Sequence, residues 1–398
     1  MAWIGEKIRG WRPIQAGGLE RYLLNANDFP GIDLRSVLTP SQERGAADLT
    51  LVATVKKLEG FASVDNYGSR YLGPGQIGLG VTGNQMLGVN DQWRFVSVGT
   101  GDDEMLYGQF AYSQILNSEG FKLSAAVSSG STRPVDILKP FDIHGSAETA
   151  ELSASYLLLR TRNNSVFARA TYEHTDINTD VLGVRAVEDR IRVLRLGLTQ
   201  HVLDRMDGYN ALDVDFSRGL GGTSVDDPLK SRAGASGIFS KISFDYERSQ
   251  FFRPTFDVTV GMGGQWTDTP LLSSEQFALG GRRFGRAYDP AELVGERALA
   301  FRIEPRHHGA GGTLGFSAYQ LFAFYDIGQV WRVGDLAAGT PDSASLASTG
   351  FGTRLFLRQS VVAVLEMAWP LTKPLASSPD NGLGPRLLAS LSIRFQLR

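Results

Sequence analysis

The chain has 398 residues and a formal charge of −2, so it lacks the basic excess of a nucleic-acid binder. It contains no cysteine, which excludes a disulfide framework, thiolate metal sites and cysteine nucleophiles. Forty-six glycines and 10% aromatic residues suit a β protein with many tight turns and aromatic girdles.

Residues Met1 to Arg12 show neither an apolar h-region nor a cleavage site, so the expectation is an incomplete N-terminus or a misassigned start. Gly18 to Asn27 has helical spacing at Leu19, Tyr22, Leu23 and Ala26, and Phe29-Pro30-Gly31 ends it. Ile32 to Leu38 and Asp48 to Val55 read as strands, the second with Leu49, Leu51, Ala53 and Val55 on one face. Helix, strand, strand is too small to bury a core alone.

Beyond this the chain repeats one pattern. Val166, Ala168, Ala170 and Tyr172 alternate with Phe167, Arg169, Thr171 and Glu173. Ile242, Phe244 and Tyr246 alternate with Lys241, Ser243 and Asp245; Leu387, Ala389, Leu391, Ile393 and Phe395 with Ser390, Ser392 and Arg394. Period two puts each set on one face of a strand. No apolar run reaches the ~18–20 residues of a membrane helix. The period itself fits a soluble sandwich or a membrane barrel. An even count of about 16 long segments between Glu59 and Phe395, joined by alternating short and long connections, favours the barrel. Met86–Asp91, Arg160–Asn164 and Leu203–Tyr209 read as short turns. Thr132–Gly145, Asn178–Asp189, Gly219–Gly234, Thr267–Gly295 and Val333–Thr349 read as long surface loops.

Three stretches stand out: Pro30-Gly31-Ile32 through Leu38-Thr39-Pro40, Gly45-Ala46-Ala47-Asp48-Leu49, and Asp65-Asn66-Tyr67-Gly68-Ser69-Arg70-Tyr71-Leu72-Gly73-Pro74. They resemble the two-partner secretion transporters, a family of the superfamily in which periplasmic POTRA domains precede a barrel. The stretch Leu279-Gly280-Gly281-Arg282-Arg283-Phe284-Gly285-Arg286-Ala287-Tyr288 is similar to the family's lumen-loop motif, with Gly285 in place of Val and Ala287 in place of Gly. Phe324-Tyr325-Asp326-Ile327-Gly328 matches its F-x-D-x-G strand motif.

The resemblance implies an all-β fold, a transmembrane antiparallel barrel of about 16 strands over residues 58–398. A truncated α/β POTRA domain over residues 1–57 would precede it. A loop at about residues 267–295 would fold into the lumen, between the eleventh and twelfth barrel strands. Arg286 would pair there with Asp326 on the thirteenth strand, with Tyr288, Phe324 and Gly328 around them and Gly280 and Gly281 shaping the loop. If the family glycine serves a positive φ, Ala287 would strain the tip; Tyr288 would keep its hydroxyl wet. The implied activity is export of a large, unfolded, β-helical partner protein across the bacterial outer membrane. The protein would be a monomer in outer-membrane lipid, with its POTRA remnant in the periplasm and with no nucleic acid and no cofactor. The alternatives are an insertase of the same superfamily and a passive porin.

No residues suggest an enzyme. His307-His308 has no third histidine nearby and reads as a solvated turn, not a metal site. Gly309 to Gly312 lacks the Lys-Ser/Thr of a phosphate loop, and Ser236 is not in a nucleophile elbow.

Overall fold

The computed structural model describes residues 6–8, 15–42, 46–88, 90–101, 103–312, 315–334, 339, 341–357, 360–372 and 384–397. Helix α1, Ala16–Asn27, is followed by an antiparallel pair, β1 (Ile32–Pro40) and β2 (Ala47–Val55). Tyr22, Ala26 and Phe29 form its small core with Leu19, Ile32, Leu34 and Leu49. That cluster also takes in Ile115, from the barrel, so the module completes its core on the barrel rather than alone. Gly31, at φ +68°, sits where a Cβ would strike Lys56 O and the Asn84 side chain, which explains the glycine in the turn from the helix into β1.

Sixteen strands then close into one barrel. They are β3 (Leu58–Asp65), β4 (Gln76–Asn84), β5 (Asp91–Thr100), β6 (Met105–Ile115), β7 (Lys122–Thr132), β8 (His144–Arg160), β9 (Asn164–Val181) and β10 (Val184–Leu203). The series continues with β11 (Gly208–Gly222), β12 (Ser240–Arg253) and β13 (Phe256–Thr267). A short hairpin, β14 (Phe277–Leu279) with β15 (Leu293–Gly295), interrupts it. The barrel resumes with β16 (Arg297–Ala310), β17 (Ala318–Trp331), β18 (Ser343–Leu357), β19 (Val361–Pro370) and β20 (Arg386–Leu397). Every neighbouring pair is antiparallel, and β20 pairs with β3 from Ser390↔Asp65 to Leu397↔Leu58, so no edge is left open.

The alternation sorts as the period requires. Leu196, Phe216, Ile242, Trp266, Leu299, Phe351 and Leu391 are exposed on the outside. Arg169, Arg195, Lys241, Arg302 and Arg354 pair with carboxylates across the interior, Arg195 with Glu173 among them. An exposed apolar band around a charged interior is the arrangement a bilayer stabilises. No described helix is long and apolar enough to cross a membrane.

Two expected loops are strand instead. Asn178–Asp189 continues β9 and β10, which meet in a two-residue turn, Leu182 at φ +53° and Gly183 at φ +76°. Val181, Val184 and Val187 share one face of this extension and Asp180, Arg185 and Glu188 the other, but the Leu182-Gly183 turn and the bulge between Arg185 and Val187 interrupt the period while the hydrogen-bond ladder goes on. Strand β18 likewise begins at Ser343, inside the span expected as loop. His307 and His308 lie within β16, not in a turn, and His308 is hydrogen-bonded to Asp257.

Candidate functional site: the lumen loop and its carboxylates

The long connection between β13 and β16, residues 268–296, joins the eleventh and twelfth barrel strands and folds inward. Its limbs pair as β14 and β15, Leu279 opposite Leu293. Beyond this stem the chain turns on three glycines with positive φ: Gly280 (+108°), Gly281 (+81°) and Gly285 (+96°). A Cβ on Gly280 would lie 2.1 Å from Asp289 O, so no other residue fits there. Gly280 N–H donates to Phe284 O at 2.8 Å, and Gly281 N–H to Tyr288 O at 3.1 Å, which closes the tip on itself.

The positive φ falls on Gly285, the position before Arg286. Ala287 is not among the described residues with positive φ and is fully buried, so the alanine carries no backbone strain.

This geometry points the backbone N–H of Gly285 and of Arg286 at Asp326 Oδ2, at 3.3 and 3.1 Å. The Arg286 guanidinium then forks onto the same carboxylate, Nε to Oδ2 and Nη2 to Oδ1, both at 3.1 Å. Ser348 Oγ donates a further bond at 3.3 Å. Asp326, on β17, is wholly buried and Arg286 is 5% exposed. Arg286 Nη1 reaches Glu304 at 2.5 Å and Glu366 at 3.7 Å, from β16 and β19. The guanidinium lies 3.6 Å above the centre of the Phe324 ring, a stacking contact a lysine does not reproduce. Burial acts to lower the Arg286 pKa, but Asp326, Glu304 and Glu366 outweigh it and hold the group above its ordinary range. Glu304 is shared with Arg306 (2.7 Å) and Arg354 (2.9 Å), and Arg354 stacks 4.0 Å above Phe322.

Apolar contacts seat the rest of the tip. Tyr288 is fully buried, and its hydroxyl donates to Ala347 O at 3.1 Å rather than to water. Leu279 packs on Gly328, where a Cβ would stand 2.8 Å from its methyls, and Phe284 packs on Gly263 in the same way. The glycine that ends F-x-D-x-G is therefore a docking face for the loop. Arg282 lies 4.2 Å above the Tyr67 ring, and Arg386 holds Asp289 at 2.9 Å. A cavity of about 350 Å³ remains beside the tip, bounded by Tyr67, Arg282, Arg302, Glu304 and Glu366.

The loop is also fixed at its neck. Glu275, 4% exposed, accepts from Arg195 on β10 and Lys241 on β12, each at 2.8 Å. The Gln265 amide spans both limbs, donating to Glu275 O and Glu296 O at 3.0 Å. Burial acts to raise the Glu275 pKa, but Lys241 and Arg195 outweigh it and hold the carboxyl below its usual range. Glu296, fully buried, accepts from Arg232 (3.0 Å) and from Val333 N–H (3.2 Å), tying three loops of this barrel end together.

Sequence reading missed Glu304, Glu366, Arg354 and the neck residues. Glu304, Glu366, Arg354, Arg195, Lys241 and Gln265 lie on strands without a motif, and only the barrel register brings them to the loop; Glu275 and Glu296 lie on the loop's own limbs, outside its motif. The one signal of the strand residues is their place on the charged face of the alternation.

A family model described as haemolysin secretion/activation protein ShlB/FhaC/HecB matches residues 46–355. The chain belongs to this family. A heme/hemopexin transporter protein, HuxB, from Haemophilus influenzae is 21% identical over 359 residues, covering 89% of this chain and 64% of that protein. The outer membrane transporter CdiB of Dickeya dadantii is 22% identical over 386 residues, covering 91% and 65%. The chain thus spans somewhat under two thirds of the length of these relatives. Among solved structures, CdiB from Escherichia coli aligns with a TM-score of 0.77 at 18% identity, over 95% of this chain and 70% of that one. BamA from Haemophilus ducreyi aligns with a TM-score of 0.60 at 10% identity, over 95% and 77%. The closed barrel with its apolar outer band, in this family, is a barrel of the bacterial outer membrane.

Proposed function

We propose that this barrel exports an unfolded partner polypeptide across the outer membrane, by two-partner secretion, and that residues 268–296 are its gate. The observation that carries the reading is the buried fork of Arg286 on Asp326, which holds a loop across the lumen. A 16-stranded barrel has a lumen wide enough for an aqueous passage. A resident loop stops the leak, and a single charged latch can be exchanged for contacts to a passing chain. Arg286 with Asp326 is the latch; Phe324, Tyr288, Gly280, Gly281 and Gly328 shape its seat. The relatives' names, outer-membrane and heme/hemopexin transporter, support this class of activity. The partner is a secreted protein, and its folding on the far side drives export without a nucleotide by removing the unfolded chain from the exit equilibrium.

Helix α1 with β1 and β2 is, in this reading, the end of a POTRA domain that faces the periplasm and presents a sheet edge to the client. The test is co-expression of Arg286→Ala with the secreted partner. A barrel that folds, conducts more and no longer secretes supports the gate. Undiminished secretion by a well-folded variant removes it.

A further inference from the structure

The outer wall carries a second feature, unrelated to the lumen. Strands β9 and β10 have 18 and 20 residues, against the ~9–11 that cross a bilayer. Their far ends therefore stand above the hydrocarbon, at the barrel end opposite α1. Two exposed arginines mark this boundary on the outside. Arg192 is two residues above Leu194 on β10, and Arg218 on β11 is the cross-strand partner of Leu194. The two are diagonal neighbours, roughly 7–8 Å apart at Cα. Arg192 has no carboxylate partner among the described residues, and Arg218 donates only to Ser240 Oγ, at 2.7 Å. Nearby Arg190 differs: it is neutralised by Glu188 at 2.8 Å and Asp176 at 3.6 Å. A glycine bulge at Gly219, Gly221 and Gly222 shifts the β10–β11 register beside the pair. Two adjacent, unneutralised guanidiniums at headgroup depth repel one another unless an anion sits between them.

A groove leads to that point. An apolar depression of about 600 Å³ runs over the outer wall, lined by Tyr112, Leu123, Ala125, Leu152, Ala154, Ala170, Tyr172 and Leu194. It follows one cross-strand row, Tyr112↔Ala125↔Leu152↔Tyr172↔Leu194, whose next member is Arg218. Five strand spacings of ~4.8 Å make the row roughly 24 Å, which at a strand tilt of ~45° climbs about 17 Å along the membrane normal, close to the ~15 Å half-thickness of the hydrocarbon core.

We propose that this wall binds a phosphorylated lipid of the outer leaflet, its acyl chain in the groove and its phosphate between Arg192 and Arg218. Charge complementarity and the continuity of groove and cation pair set the occupant: a long apolar chain ending in an anion. The inference is independent of secretion and does not need the loop gate.

The test uses the full chain in detergent, stripped of bound lipid and titrated with a phosphorylated acyl-glycolipid. The same lipid with its phosphates removed is the control, and native mass spectrometry counts adducts. Saturable binding of the phosphorylated form is expected, at least tenfold tighter than the control. The double variant Arg192→Ala, Arg218→Ala should lose at least tenfold, Ala154→Trp should block the groove, and Arg190→Ala should bind normally. Heat-modifiable migration on gels checks that each barrel is folded; if the double variant fails that check, Arg192→Gln with Arg218→Gln replaces it. Equal binding of the two lipids, or unchanged binding by a folded double variant, overturns the proposal. An equal loss in Arg190→Ala reduces it to general surface charge and overturns it as well.

Discussion

At the scale of single residues, the Arg286–Asp326 contact shows why particular side chains occupy the site. Removing one partner of a buried ion pair leaves an uncompensated charge, worth about 3–5 kcal/mol in dry surroundings. Arg286→Ala strands Asp326 with backbone and serine donors only, and frees Glu304 and Glu366 to repel one another. The expected result is a folded barrel with a larger, noisier single-channel conductance in planar bilayers. Arg286→Lys keeps the charge but loses the fork and the stack on Phe324, so its conductance should resemble the alanine variant; wild-type currents from the lysine variant would show that charge alone holds the loop. Gly328→Val probes the seat without touching charge. Its side chain meets the Leu279 methyls, so the loop must lift, with a loss of about 1–3 kcal/mol for overpacking. Melting of the loop, followed by a Trp or spin label at its tip, should occur earlier than in the parent. Arg286, Asp326 and Gly328 were legible in sequence because each is tied to a local motif. Glu304, Glu366 and Arg354 were not, because their meaning depends on which strands lie side by side. The worry over Ala287 also dissolves at this scale, since the left-handed residue is Gly285.

At the scale of elements, the loop is held at two places that differ in chemistry. The tip is a guanidinium surrounded by carboxylates; the neck is a carboxylate, Glu275, held by Arg195 and Lys241. Folding lowers the pKa of Glu275 below its ordinary value. Its contribution is therefore complete above about pH 4.3 and is lost as the pH falls through the depressed value. Acidification below about pH 4 should raise the open probability of the parent. Glu275→Gln should already gate more often at pH 7 and respond less to acid over that range. An acid response of equal size in the glutamine variant would assign the titration elsewhere. The strands themselves were readable wherever one face met lipid and the other water. The β9–β10 extension was not, because its tight turn and the bulge between Arg185 and Val187 break the period within a few residues.

At the scale of the whole molecule, the N-terminal module rests on several adjacent turns of the barrel, one of them acidic. Glu119, between β6 and β7, accepts from Tyr22 at 2.5 Å and Arg21 at 3.2 Å, and faces Lys7 at 3.8 Å. Burial and the Glu119 carboxylate push the Tyr22 hydroxyl up to about 12, so it remains a donor throughout the physiological range. Asn25 donates to Ser118 O at 3.0 Å, and Arg160 forks onto Asp28 at 2.7 and 2.9 Å on the neighbouring turn. These contacts, with Ile115 in the module core, give the helix–strand–strand unit the surface it lacks on its own. Glu119→Ala removes the acceptor shared by Tyr22 and Arg21 and the counter-charge of Lys7 while leaving the barrel ladder intact. The module should then detach, and limited proteolysis should cut the chain near residues 56–57 several times faster, while single-channel conductance stays at the parent value. If the module passes client into the lumen only when docked, secretion falls with docking even though the latch at Arg286 is untouched. Coupled capture and gating predict that Glu119→Ala and Arg286→Ala both abolish export, the first through a closed channel and the second through an open one. Conductance recorded beside secretion separates the two.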